Sequence, residues 1–174
     1  QLSKKNQYWS FLEKFSKKGQ NFLNDYVAYT VNSTKCLGLK VINAGGAEFF
    51  KKGGETFNLD DVVPSYGVSS RDILTSLNKA NEELKIKHPL HVHCNNLGVP
   101  GNIKTILETI KTAEGRRMHL AHVQFYGYDN KGKKGFSSGS VDLADAVNKN
   151  KNITVDVGQV MFKPTLTISS DVLR

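Results

Sequence analysis

The sequence predicts an α/β fold of about four parallel strands alternating with helices, and three observations lead there. Helix-period and strand-like segments alternate four times along 174 residues. Every strand-like run ends in polar groups: Lys40 and Asn43, His93 with Asn95 and Asn96, His122 with Gln124, and Asp156 with Gln159. Such ends converge on one face of a parallel array, where barrels and open sheets keep their chemistry. The length permits one core, and so one domain over 1–174, but falls short of the roughly 250 residues of a closed eight-stranded barrel.

The elements follow in order. From Gln7 to Thr30, Tyr8, Phe11, Leu12, Phe15, Phe22, Leu23, Tyr26 and Val27 recur at three- and four-residue spacings, giving one helical face with a break near Gly19. A short strand, Cys36 to Asn43, ends in the turn Asn43-Ala44-Gly45-Gly46, where missing Cβ atoms allow a sharp bend or close approach. A looser span runs from Phe49 to Tyr66. Ser69-Ser70-Arg71-Asp72 then offers an N-cap with an acid in the first turn, opening a helix through Ile73, Leu74, Leu77, Ala80 and Leu84.

The strand Pro89 to Cys94 comes next. Gly98 to Asn102 forms a loop and cap, and Ile103, Ile106, Leu107 and Ile110 mark another helix. A strand from Met118 to Phe125, a glycine- and lysine-rich loop from Tyr126 to Gly139, and a helix from Ser140 to Val147 follow. The last strand is Ile153 to Gln159, and the tail from Met161 to Arg174 has no clear period.

Composition narrows the function classes. The net charge of +8 and pI near 9.4 come mostly from dispersed lysine pairs with no interleaved aromatics, which reads as a solvated surface rather than a nucleic-acid site. No apolar run reaches the roughly 18 residues a bilayer span needs, so no membrane role is expected. Cys36 and Cys94 each fall in an apparent buried strand without paired spacing, and reduced thiols in a cytoplasmic protein are the expectation. Gln1-Leu2-Ser3-Lys4 is neither an initiator Met nor a signal peptide and reads as an internal starting point.

All five histidines lie in two clusters, His88-Pro-Leu-His91-Val-His93 and His119-Leu-Ala-His122. Neutral imidazole is the commonest protein ligand for zinc-like ions, and two strand ends bearing it point to metal. His93 and His122 are the ligand candidates. His88 is assigned to the surface, His91 to a supporting position deeper on the His93 face, and His119 to the start of its strand. Cys94 should pack behind His93, because consecutive strand residues face opposite ways. Lys40, between Leu39 and Val41-Ile42, is either an ordinary edge lysine or a desolvated neutral amine that carbon dioxide can carboxylate.

The stretches Leu39-Lys40-Val41-Ile42-Asn43-Ala44-Gly45-Gly46, His91 through Asn102, His119 through Phe125 and Val155-Asp156-Val157-Gly158-Gln159-Val160 resemble the amidohydrolase-type subunit family of formylmethanofuran dehydrogenase. The resemblance includes the related formyltransferase/hydrolase subunit of methylotrophic bacteria and covers nearly the whole chain. It implies a partial TIM barrel of the metal-dependent amidohydrolase type, strands four to seven.

It further implies a binuclear zinc site that makes or breaks the formamide bond of formylmethanofuran, from formate and the methanofuran amine. Molybdenum- or tungsten-containing subunits would be its partners. Carboxylated Lys40, His93 and His122 would be metal ligands. Asn43, Gly45, Gly46, His91, Asn95, Asn96, Gln124 and Tyr126 would be substrate contacts or supports.

The family's first-strand His pair and its catalytic aspartate are expected before Gln1 and beyond Arg174, and Asp156 ends the seventh strand, a poor stand-in for that base. The chain is therefore expected to be incomplete and inactive alone. The competing expectation is a non-catalytic half-barrel remnant that serves as a structural or interaction domain and self-associates through open edges.

Overall fold

The structure is a computed structural model that describes residues 4–46, 49, 53–63 and 66–158, with side chains of the first helix described at Lys14 and from Lys17 onward. The expected strand end at Gln159, the tail from Met161, and the side chains of Tyr8, Phe11, Leu12 and Phe15 lie outside the described residues. Helix α1 runs Lys4–Thr34 and is kinked at Gly19, whose φ of 71° and ψ of −158° interrupt the helical path. Glycine adopts that conformation without the Cβ clash other residues meet, so the expected break falls on the expected residue. Beyond it, Leu23 and Val27 are buried against Phe57, Val63, Ala80 and Ile86.

Four strands, β1 (Lys40–Ile42), β4 (Leu90–His93), β5 (Met118–Leu120) and β8 (Ile153–Val155), form one parallel sheet in the order β1-β4-β5-β8. Helices α2 (Ser70–Glu83), α3 (Ile103–Lys111) and α4 (Ser140–Lys149) supply the crossovers. Spatial order follows chain order without reversal. Right-handed crossovers then place every connecting helix on the same face. This is the winding of consecutive barrel units, whereas a doubly wound sheet reverses at a switch point.

The alternation of side chains makes the two faces unlike. Val41, Leu90, Val92, Met118, Leu120 and Ile153 are buried in one cluster with Leu74, Ile103, Ile106, Ile110 and Leu143 from the helices. The alternate residues Lys40, Ile42, His91, His93, His119 and Thr154 project the other way. That face carries no helix among the described residues, and Ile42 on it is 60% exposed. Two short antiparallel pairs decorate the array: β2 (Val62–Val63) with β3 (Val68–Ser69), and β6 (Tyr128–Asp129) with β7 (Ser137–Ser138).

The helix start at Ser69 is a full capping box: the Ser69 hydroxyl accepts from the Asp72 N–H and the Asp72 carboxylate accepts from the Ser69 N–H. Asn102 sits at the N-cap of α3, but its side chain does not cap that helix. Its Nδ2 donates to the Asn96 and Phe125 carbonyls, and its Oδ1 accepts from the Tyr128 N–H, tying three loops together.

Several expected strands are shorter than the apolar runs suggest. Cys36 lies in the loop before β1, half-buried, and not in a strand. The run from Met118 to Phe125 leaves the sheet after Leu120, turns at His122 and continues as a 3-10 turn, Val123–Phe125. The span Phe49 to Tyr66 and the loop Tyr126 to Gly139 hold β2 and the β6–β7 hairpin, whose two-residue strands are too short to leave a period in sequence.

Candidate metal centre

His122 takes a left-handed conformation, φ 39° and ψ 53°, which costs a non-glycine residue energy and needs an external hold. Asp156 supplies it. Its Oδ1 accepts the His122 N–H at 2.7 Å, its carbonyl accepts the Val123 N–H at 3.0 Å, and its own N–H donates to the Leu120 carbonyl at 3.1 Å. The turn thereby lifts the His122 ring off the strand and toward β4.

There it meets His93. His122 Nε2 lies 2.6 Å from His93 Nδ1, and His93 Nε2 lies 3.2 Å from His91 Nε2. The His91 and His119 rings pack with centroids 4.9 Å apart. His119 Nε2 reaches Asp156 Oδ2 at 3.0 Å, and its Nδ1 faces Thr154 Oγ1 at 2.9 Å. Four imidazoles and one carboxylate thus form a continuous line across β4, β5 and the end of β8.

Protonation follows from the packing. Burial first, and then the nearness of His122 and Lys40, pushes the His93 imidazole down to about 4. His91 is also lowered, by burial first and then by His119 and Lys40. The His122 N–H and the His119 ring, both hydrogen-bonded to its carboxylate, hold Asp156 below its usual range. Near neutral pH His91 and His93 therefore offer lone pairs, and Asp156 a negative charge.

Among the described residues the relay His91–His93–His122 stops at one ring nitrogen with no partner. That nitrogen is His122 Nδ1, which is buried without a hydrogen bond among the described residues. Lone pairs crowded together with one left over are a donor set that can accept a zinc-type cation.

Lys40 pairs with His91 in the sheet register, one row from His93, and its charge is felt by both rings. It is exposed: the flanking Leu39 and Val41 turn into the core while Lys40 faces out.

Asn95, Asn96, Gln124 and Tyr126 hold the loops around this face. Asn95, 2% exposed, donates from Nδ2 to the Ala44 and Phe57 carbonyls and to Ser70 Oγ. Asn96 accepts from the Phe57 N–H and donates to Thr105 Oγ1. Gln124 accepts from the Gly158 N–H. Tyr126 stacks on His122 and donates its hydroxyl to the Cys94 carbonyl, with burial raising its phenol above the ordinary value.

Asn43, with φ 46°, donates its N–H to the His93 carbonyl, and its side chain fills the space a Cβ on Gly46 would need. Gly45, at φ 75°, presses against Val63 and Phe57. Cys94 packs behind His93 as expected, and burial pushes its thiol up to about 12, far from a thiolate ligand. His88 is exposed.

Sequence reasoning gave no site role to His119 and set Asp156 aside. A signal existed: aligning the apolar runs by their first buried residue, Leu90 with Met118 and Ile153, puts His91, His119 and Thr154 in one row. Asp156 carries no such local signal, because its role depends on a turn in another strand.

The chain is similar to the FhcA-type component of the formyltransferase/hydrolase complex Fhc of Methylorubrum extorquens, with 46% identity over 162 residues covering 90% of this chain and 30% of the relative. It is also similar to protein FwdA of Methanocaldococcus jannaschii, 35% identical over 94% of this chain and 31% of that protein. Among solved structures it matches the formyltransferase/hydrolase complex of M. extorquens, determined with methylofuran, at a TM-score of 0.82 and 45% identity over 95% of this chain and 30% of that one. No family model matches the chain. The chain therefore spans about a third of the length of these relatives.

Proposed function

We propose that this chain contributes the strand-four to strand-seven part of an amidohydrolase-type metal centre, in a protein that transfers or hydrolyses the formyl group of a methanofuran-type amine. The carrying observation is the contact of His93, at the end of β4, with His122, in the turn just after β5, near Lys40, in a chain 46% identical to a component of a formyltransferase/hydrolase complex.

In this reading His93 and His122 hold zinc through neutral imidazole nitrogens, and Lys40 joins them as a carbamate once its face is closed by further structure. Bound zinc would lower the pKa of a water and polarise the formyl oxygen. The chain's own residues do the positioning: Asp156 holds the His122 turn, Tyr126 supports its ring, and Asn95 with Asn96 fixes the loops. The remaining ligands and the general base come from outside these residues, and molybdenum- or tungsten-containing subunits would handle the formate.

Zinc analysis and an N-formylamine hydrolysis assay test the reading. The protein in its native assembly should bind zinc and turn over, and H93A or H122A should remove most zinc and lower turnover at least 100-fold. The isolated chain should show little turnover. Unchanged turnover in both variants would sink the proposal and leave a structural half-barrel.

A further inference from the structure

The open face holds a second set of donor atoms, on His91, His119 and the other oxygen of Asp156, that are not ligands in the Lys40, His93 and His122 assignment. We propose that His91, His119 and Asp156 form a separate divalent-cation site on the same face, its two histidines one row deeper than His93. One ring nitrogen from each histidine and one Asp156 oxygen lie within 4.8 Å of one another.

The outer atoms carry the argument further. Ligating histidines characteristically engage their second nitrogen with a hydrogen-bond partner, and ligating carboxylates their second oxygen. Here His119 Nδ1 is taken by Thr154 Oγ1 at 2.9 Å and Asp156 Oδ1 by the His122 N–H at 2.7 Å. Their inner atoms, Nε2 and Oδ2, are left facing each other at 3.0 Å. Two ligand atoms on a tetrahedral zinc sit about 3.4 Å apart, so a few tenths of an ångström of opening suits this pair, and the His91 nitrogen, within 4.8 Å, has to close in on the ion.

The chemistry selects the class of ion. Two imidazoles and one carboxylate suit zinc or iron(II), and leave coordination positions for water; calcium and magnesium would demand more oxygen. His119 and Asp156 are 23% and 50% exposed at their side chains, which gives the ion a path from solvent. Lys40, next in the row, is exposed and can turn its side chain away to water.

This site does not rest on the formyl-transfer reading. It is tested by stripping the protein in its native assembly with a chelator, titrating zinc, and locating bound ions by anomalous diffraction at the zinc edge. An anomalous peak among His91, His119 and Asp156 is expected. D156N and H119Q should each weaken that binding at least tenfold, D156E should retain it, and H122A should change it less than twofold. No peak there at saturating zinc overturns the proposal. So does a peak that persists in D156N and vanishes in H122A, since the ion then belongs to the other row. An ion here with none at His93 and His122 would support this site and refute only the proposed function.

Discussion

His122 Nε2 stands 2.6 Å from His93 Nδ1 across a separation of 29 residues, and the contact exists because Asp156 captures the His122 backbone in a left-handed turn. A strand continuing past Leu120 would instead have carried the ring onward along β5.

Stability should fall as pH is lowered toward 4. His93 titrates at about 4 when folded against an ordinary 6.5, and His91 is shifted the same way. Between those values the unfolded chain binds more protons, so stability from these groups is complete above 6.5 and is lost as pH drops through the window. Asp156, also lowered, adds a further loss below 3.8. Urea unfolding of metal-free protein at stepped pH should show this slope, reduced in H93Q; a slope unaffected by H93Q would contradict the assigned burial.

Gly45→Ala should cost about 2–4 kcal/mol, combining the left-handed penalty with overpacking. The glycine sits at φ 75° and a Cβ would strike Val63 and approach Phe57 Cε1 at 2.9 Å. Gly53→Ala is the control: φ 85° but no atom of the described residues within 4 Å, so only the backbone cost of about 1–2 kcal/mol applies. Equal unfolding midpoints for the two variants would refute the contact argument.

Asn95→Ala should destabilise by about 1–3 kcal/mol, because it takes the Asn95 donor from the buried Phe57 carbonyl and leaves the Ala44 carbonyl with the Ser70 hydroxyl. Ser69→Ala, which removes one half of the capping box, should cost about 1 kcal/mol. Denaturant titration ranks them; a larger loss for Ser69→Ala would show that Asn95 does not bridge the loops.

Local chemistry determined a good deal by itself. The alternation of periods 3.6 and 2 placed the helices and the four strands of the sheet, Gly19 marked the kink, and parity within the strand put Cys94 behind His93. Each of these depends on neighbours in the chain. Tertiary structure decided the rest. The shared row of His91, His119 and Thr154 depends on inter-strand register, which is set by packing of the crossovers rather than by any one run. The end of β5 at Leu120, the turn at His122 and the arrival of Asp156 at the site depend on a carboxylate 34 residues away accepting one backbone N–H. No apolar pattern around His122 records that bond, because its stabilisation appears only when β8 is already beside β5.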